Sequence, residues 1–189
     1  MQNRTELAKY FNQLGFKYGA EVGVYKGYYS EVLCKQIPGL KLLCIDSWNS
    51  GRRIPAKEAA TQLLSSYNAI IIQKNSVDAA KDVEDGSLDF VFIDAGHTYK
   101  DVKEDIAVWT PKVRIGGIVS GHDYYELPDM IRYSNGLQPR APGADRTGLI
   151  RAVNEFIEAN GYKLQLTDRD EKNPVQDDIQ PCWYFLKDK

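Results

Sequence analysis

The chain has 189 residues, 43% hydrophobic and 26% charged, with a net charge of −2 and a pI near 5.7. This supports one domain spanning residues 1–189 with a substantial core, and gives no electrostatic reason to expect nucleic acid as a partner. With no apolar run long enough for a bilayer, a polar start (MQNRTELAKY), and three cysteines without metal-ligand spacing, the expectation is a cytoplasmic enzyme or binding protein, free of membrane contact.

In chain order, residues 5–14 read as a short amphipathic helix closed by Gly15, and residues 18–23 (YGAEVG) as a strand entering a glycine turn. A helix over 30–36 stops at Ile37-Pro38-Gly39. The second strand, 41–45, ends at Asp46. A polar loop leads to a helix over 56–67, a third strand at 69–72 (AIII) and a short helix over 77–83. The fourth strand, 88–93, is followed by a helix over 99–109, and the fifth, 117–120, follows the turn RIGG. Residues 123–145 are rich in Pro, Gly and Tyr and read as a functional loop or lid. A helix over 146–160 precedes two strand-like segments, 162–166 and 183–186, which suit a hairpin or antiparallel edge.

Strand–helix alternation needs crossover connections, and the strands are apolar runs without strict alternation. Both features predict parallel strands buried on two sides. The expected fold is α/β: a doubly wound, Rossmann-like, mostly parallel seven-stranded sheet with an antiparallel C-terminal hairpin and helices on both faces.

Glu21-Val22-Gly23-Val24-Tyr25-Lys26-Gly27 joins the first strand to the first crossover helix. Glycine there allows a sharp turn and close ligand approach. The spacing is G-x-x-x-G rather than G-x-G-x-x-G, and Glu21 would repel a phosphate, so a cationic or hydrogen-bond-donating ligand is favoured. Asp46, ending the second strand, suits the two hydroxyls of a ribose. Each residue has a structural alternative: a solvated Glu21, an Asp46 that caps the next turn, an Asn75-Ser76 pair that caps a helix. In order on the first two strands, Glu21, Gly23 and Asp46 favour a nucleoside ligand.

Asp94 and Asp123 close the fourth and fifth strands, at the edge where α/β sheets bind ligands. Converging carboxylates repel unless a cation lies between them or one is protonated, and Mg²⁺ or another divalent ion is a natural occupant. His97 and His122 are the only histidines, and both fall beside these strand ends. His97, standing off from its strand, is the better candidate for a general base, while His122 joins Asp94 and Asp123 in a possible metal site. Trp109 and Val113 read as core. Lys100, Asp101, Lys103, Glu104 and Asp105 read as a solvated helix face with i,i+4 pairs. Tyr124, Tyr125 and Tyr133 fit an acceptor pocket or a packed lid equally well. Arg52 and Arg53 read as surface residues, with an anionic substrate as the alternative.

EVGVYKG, CID, VFIDAGH and GGIVSGHDY together resemble class I S-adenosylmethionine-dependent methyltransferases. Within that class the resemblance is to the small branch of macrocin-type O-methyltransferases and cephalosporin-hydroxylase-like proteins. It covers roughly residues 18–160, and the run IDAGHTYKDVKEDI…W…GGIVSGHDY is its most specific part. The resemblance implies that Glu21 and Gly23 meet the amino-acid end of the cofactor, Asp46 its ribose, and Asn75 and Ser76 its adenine. Val24, Tyr25, Gly27, Ser47 and Asp94 complete the expected cofactor contacts. It also implies a metal at the strand-end carboxylates, with Asp94, His97 and His122 as catalytic residues and a small-molecule or sugar hydroxyl as acceptor. Because few residues precede the first strand, the long loop or a second copy of the chain would complete the acceptor pocket. The competing readings are a nicotinamide-dependent oxidoreductase, disfavoured by the absent G-x-G-x-x-G, and a nucleoside-binding module without catalysis.

Overall fold

The computed structural model describes residues 1–49, 51, 53–125, 130–133, 136–139, 148–168 and 180–189. Helix α1 (Arg4–Gln13) starts where the Asn3 side chain accepts the Glu6 N–H at 3.1 Å, and it buries Leu7, Ala8 and Phe11. Strands β1 (Tyr18–Val22), β2 (Lys41–Asp46), β3 (Ala69–Gln73), β4 (Leu88–Ile93) and β5 (Val113–Gly121) are parallel. Between and after them run α2 (Tyr28–Gln36), α3 (Ile54–Leu63), α4 (Ser76–Ala80), α5 (Tyr99–Trp109) and α6 (Gly148–Asn160). A short hairpin, β6 (Met130–Tyr133) with β7 (Gly136–Pro139), precedes α6, while β8 (Gln165–Leu166) and β9 (Trp183–Leu186) pair antiparallel. No helix among the described residues is long and apolar enough to cross a membrane.

The seven-stranded sheet has the order β3-β2-β1-β4-β5-β9-β8, with β9 antiparallel to β5. The chain therefore starts at the centre, winds outward through β2 and β3, and returns past β1 to β4. That reversal leaves a crevice between the carboxyl ends of β1 and β4, where doubly wound sheets seat ligands.

Alternating side chains divide the core in two. Cys44 of β2 and Phe90 and Phe92 of β4 point toward α1, α2 and α3, where Phe90 stacks on Phe11 at 4.5 Å and Phe92 meets Tyr29 at 4.3 Å. Ala20, Val22, Leu43, Ile45, Val91 and Val119 point toward α4, α5 and α6. The expected architecture is thus present, with two differences. Segment β3, read as a buried run, is a sheet edge with Ile70 42% exposed. Where an unbroken loop was expected from 123 to 145, β6 and β7 form a two-stranded sheet; the remainder of that stretch beyond Tyr125 lies outside the described residues.

Candidate active site

Gly23 turns β1 toward α2 at φ +100°, and its N–H donates to the Ile45 carbonyl at 2.8 Å. A Cβ at this position would lie 2.0 Å from the Asp94 carbonyl oxygen. Only glycine lets the ends of β1 and β4 approach this closely. Beside the turn opens a cavity of about 550 Å³ whose lining includes Gly23, Asp46, Ser47, Asn75 and Ser76. Five residues expected at the cofactor thus share one wall. Glu21, Val24, Tyr25, Gly27 and Asp94 do not border this cavity: Val24 is core, and Gly27 is the residue before α2.

Asp46 organises the two loops around that cavity. Its Oδ2 accepts the Tyr25 N–H at 2.9 Å, and its Oδ1 accepts the Trp48 N–H at 3.0 Å. The Trp48 indole N–H in turn donates to the Tyr25 carbonyl at 2.8 Å. Asp46 therefore does cap its own turn; Oδ2 keeps a second lone pair for a ligand hydroxyl, while Oδ1 also accepts from the Arg53 guanidinium. Tyr25 and Trp48 hold positive φ, +50° and +39°, a strained geometry that this network sustains. Arg53, read as a surface residue, lies 3.4 Å from Asp46 Oδ1 and lines the cavity; Arg52 lies outside the described residues.

Glu21 is on the opposite face of β1, buried, and accepts a hydrogen bond from Ser30 Oγ at 2.5 Å. Burial pushes its pKa up to about 8; the Ser30 bond opposes this, while Asp94 adds to it. Asn75 caps α4, its Oδ1 accepting the Asp78 N–H at 2.9 Å. Both structural alternatives raised for the Asn75-Ser76 pair and for Asp46 are thus present alongside their places in the cavity wall.

At the ends of β4 and β5 the titratable groups converge. Among the described residues, Asp94, His97 and Asp123 bring ligand atoms within 4.8 Å of one another. His97 is half exposed, its Nδ1 3.7 Å from Asp123 Oδ2. His122 is buried, with Nδ1 3.1 Å from Asp123 Oδ1 and 3.7 Å from Asp94 Oδ2. Burial disfavours a charged His122, but the hydrogen bond to Asp123 and the two carboxylate charges outweigh it and raise its pKa. Burial raises the Asp94 pKa. It would raise Asp123 too, yet the His122 hydrogen bond and the two imidazoles hold that carboxyl below its usual range. Asp123 adopts φ +59°, a third strained residue at this edge. The grouping differs from the expected metal set of Asp94, Asp123 and His122: His97 completes the compact cluster, and His122 sits behind it between the carboxylates.

One further assignment changes. Asp105, read as solvated, is 4% exposed and borders the cavity, and burial pushes its pKa up to about 6. The signal was its place within the apolar stripe of α5, three residues after Val102 and four before Trp109. Lys100 and Glu104 do form the expected surface pair, at 3.9 Å. Tyr124 is tied to α6 through Asn154 Oδ1 at 2.7 Å, and the Tyr133 side chain lies outside the described residues.

A family model described as a methyltransferase domain matches residues 20–124. The fold is similar to that of an O-methyltransferase from Bacillus cereus in complex with SAH: TM-score 0.69, 13% identity, covering 97% of this chain and 80% of that one. It is equally similar to the O-methyltransferase TomG from Streptomyces achromogenes, involved in tomaymycin synthesis and solved with SAM: TM-score 0.69, 15% identity, covering 97% and 79%. A curated relative, the uncharacterized protein y4gI of Sinorhizobium fredii (strain NBRC 101917 / NGR234), is 38% identical over 53 residues, and that match spans 28% of this chain and 6% of the relative. The chain belongs to the methyltransferase-domain family, on the class I, S-adenosylmethionine-dependent methyltransferase fold.

Proposed function

We propose that residues 1–189 act as one S-adenosylmethionine-dependent methyltransferase domain that methylates a hydroxyl of a small molecule or sugar. The observation that carries this reading is the continuity of the carboxyl edge. A nucleoside-sized cavity runs from Gly23 past Asp46 to Asn75, and the cluster of Asp94, His97 and Asp123 lies beside it at the ends of β4 and β5. With the ribose on Asp46 and the base toward Ser76, the sulfonium end of the cofactor faces the β1–β4 crevice.

In the transfer, the acceptor oxygen attacks the methyl carbon, the carbon–sulfur bond breaks with its electron pair staying on sulfur, and the hydroxyl proton leaves to a base. In this reading His97 takes that proton: its Nδ1 lies 3.7 Å from Asp123 Oδ2, and Nε2 is left for the acceptor. Holding both partners in line is the chain's larger contribution to the rate.

As an alternative to His97 acting as base, two carboxylates and its imidazole within 4.8 Å fit a divalent cation, and Mn²⁺ suits the mixed oxygen–nitrogen donors better than Mg²⁺. Such a cation would supply positive charge that lowers the acceptor hydroxyl's pKa. A metal-free reading is favoured by one observation: His122 Nδ1 lies 3.1 Å from Asp123 Oδ1 and 3.7 Å from Asp94 Oδ2, and these carboxylates raise its pKa, favouring its cationic form.

Titration calorimetry with S-adenosylmethionine, followed by methyl-transfer assays over a panel of hydroxylated acceptors, tests the proposal. Cofactor binding with a methyl ether product is the expected result. No binding to the intact chain, or products methylated only on nitrogen, would overturn it.

A further inference from the structure

Helix α5 carries a carboxylate where its packing calls for a hydrocarbon. Val102, Ile106 and Trp109 make its apolar stripe, and Asp105 stands in that stripe, almost fully buried. A buried carboxylate costs stability unless its oxygens have partners. One partner comes through a short relay: Trp109 Nε1 donates to Ser76 Oγ at 2.8 Å, and Ser76 hydrogen-bonds Asp105. A carboxylate offers about four lone-pair positions, so the relay leaves capacity on the side that borders the cavity.

That side belongs to the far end of the cavity from Gly23. Asp46 closes β2, Asn75 and Ser76 open α4 after β3, and Asp105 lies in α5 after β4. A nucleoside with its sugar on Asp46 places its base between the start of α4 and α5. The wall there accepts hydrogen bonds: Asp105 is flanked by Asp101 and Glu104, and the Asn75 amide is engaged with Asp78 through both Oδ1 and Nδ2. The three carboxylates on that wall favour a base that donates.

Resting on the cofactor reading above, we propose that Asp105 selects the base of the cofactor, its carboxylate accepting a hydrogen bond from an exocyclic amino group such as the 6-amino group of adenine. Burial places the Asp105 pKa at about 6, so at pH 7.5 the group is ionised and can only accept. A 6-oxo purine would instead turn a lone pair toward it. Ser76 acts through Asp105 as a positioning residue.

The test titrates S-adenosylhomocysteine and S-inosylhomocysteine, in which an oxo group replaces the 6-amino group, into the intact chain at pH 7.5. The wild type should prefer the adenosyl compound by about 100-fold or more, as buried acceptors reject ligands that cannot donate to them. Asp105→Asn, whose amide can donate to the oxo group, should shrink that preference at least tenfold, mainly by gaining affinity for the inosyl compound. Asp85→Asn, a surface carboxylate paired with Lys112 away from the cavity, should leave the preference unchanged. Equal wild-type affinity for the two ligands overturns the inference without needing any variant, and so does an unchanged preference in a folded Asp105→Asn. A wild type that binds neither ligand removes the cofactor reading itself, a distinct failure from binding both equally.

Discussion

Glu21 is a carboxyl group that the fold keeps protonated through neutral pH. It ionises at its ordinary 4.5 when unfolded and only at about 8 when folded. Between these values the folded chain holds one more proton than the unfolded chain, so rising pH favours unfolding, by up to about 1.4 kcal/mol per pH unit from this group. Asp94, Asp105 and His122, whose pKa values are also raised, act with the same sign; Asp123, lowered, acts oppositely and only below its usual range. The ligand-free protein should therefore lose urea resistance from pH 5 to pH 8, and Glu21→Gln should flatten that slope. An equally steep slope in the variant would clear Glu21 of the effect. Gly23 offers a second test at this scale. With φ +100° and the Asp94 carbonyl at 2.0 Å from any Cβ, Gly23→Ala should cost at least about 2 kcal/mol in urea unfolding and displace the crevice; a variant of wild-type stability would show that the β1–β4 approach can relax.

Among the elements, those with both ends punctuated were legible in the sequence. Segments β1, β2 and β4 are apolar runs ending at glycine or aspartate, and α5 was bounded correctly because Thr98 caps it and its stripe has helical spacing. Periodicity could not tell β3 from a core strand, since AIII is apolar whether or not a neighbour covers it; only the strand order makes it an edge. The β6–β7 pairing was masked by glycine and proline, which mark turns without saying what lies between them. The site was legible as a set of strand ends and illegible as a network. The shared cavity wall of Gly23, Asp46 and Asn75 was readable from position, but the place of Trp48 was not, because it holds two loops that are distant in sequence. Trp48→Phe keeps the ring and removes the hydrogen bond to Tyr25. It should lower stability by about 1 kcal/mol and weaken S-adenosylmethionine several-fold by freeing the loop after β1. Calorimetry with unchanged affinity would confine Trp48 to packing.

For the molecule as a whole, the winding order brings β4 and β5 side by side in parallel, so that residues ending each strand meet at one edge. Asp94 and Asp123 face each other for this reason, and something must offset their repulsion. His122 Nδ1 lies within 3.7 Å of both carboxylates, which raise its pKa, while His97 can join the carboxylates around a cation. These two ways of neutralising the pair compete, because a cation that takes both carboxylates removes what raises the His122 pKa. Binding of Mn²⁺ should then release protons, measurable as a calorimetric heat that changes with the ionisation enthalpy of the buffer, and should weaken as pH falls. Asp94→Asn should lower Mn²⁺ affinity by about tenfold or more, and EDTA should abolish turnover while leaving S-adenosylmethionine bound, since Asp46 and the cavity wall lie apart from the cluster. His97→Ala should slow methyl transfer by roughly 10²–10⁴-fold if its imidazole takes the proton. Full turnover in excess EDTA, with no heat on adding Mn²⁺, would leave the pair of Asp94 and Asp123 to His122 and the proton to His97 alone.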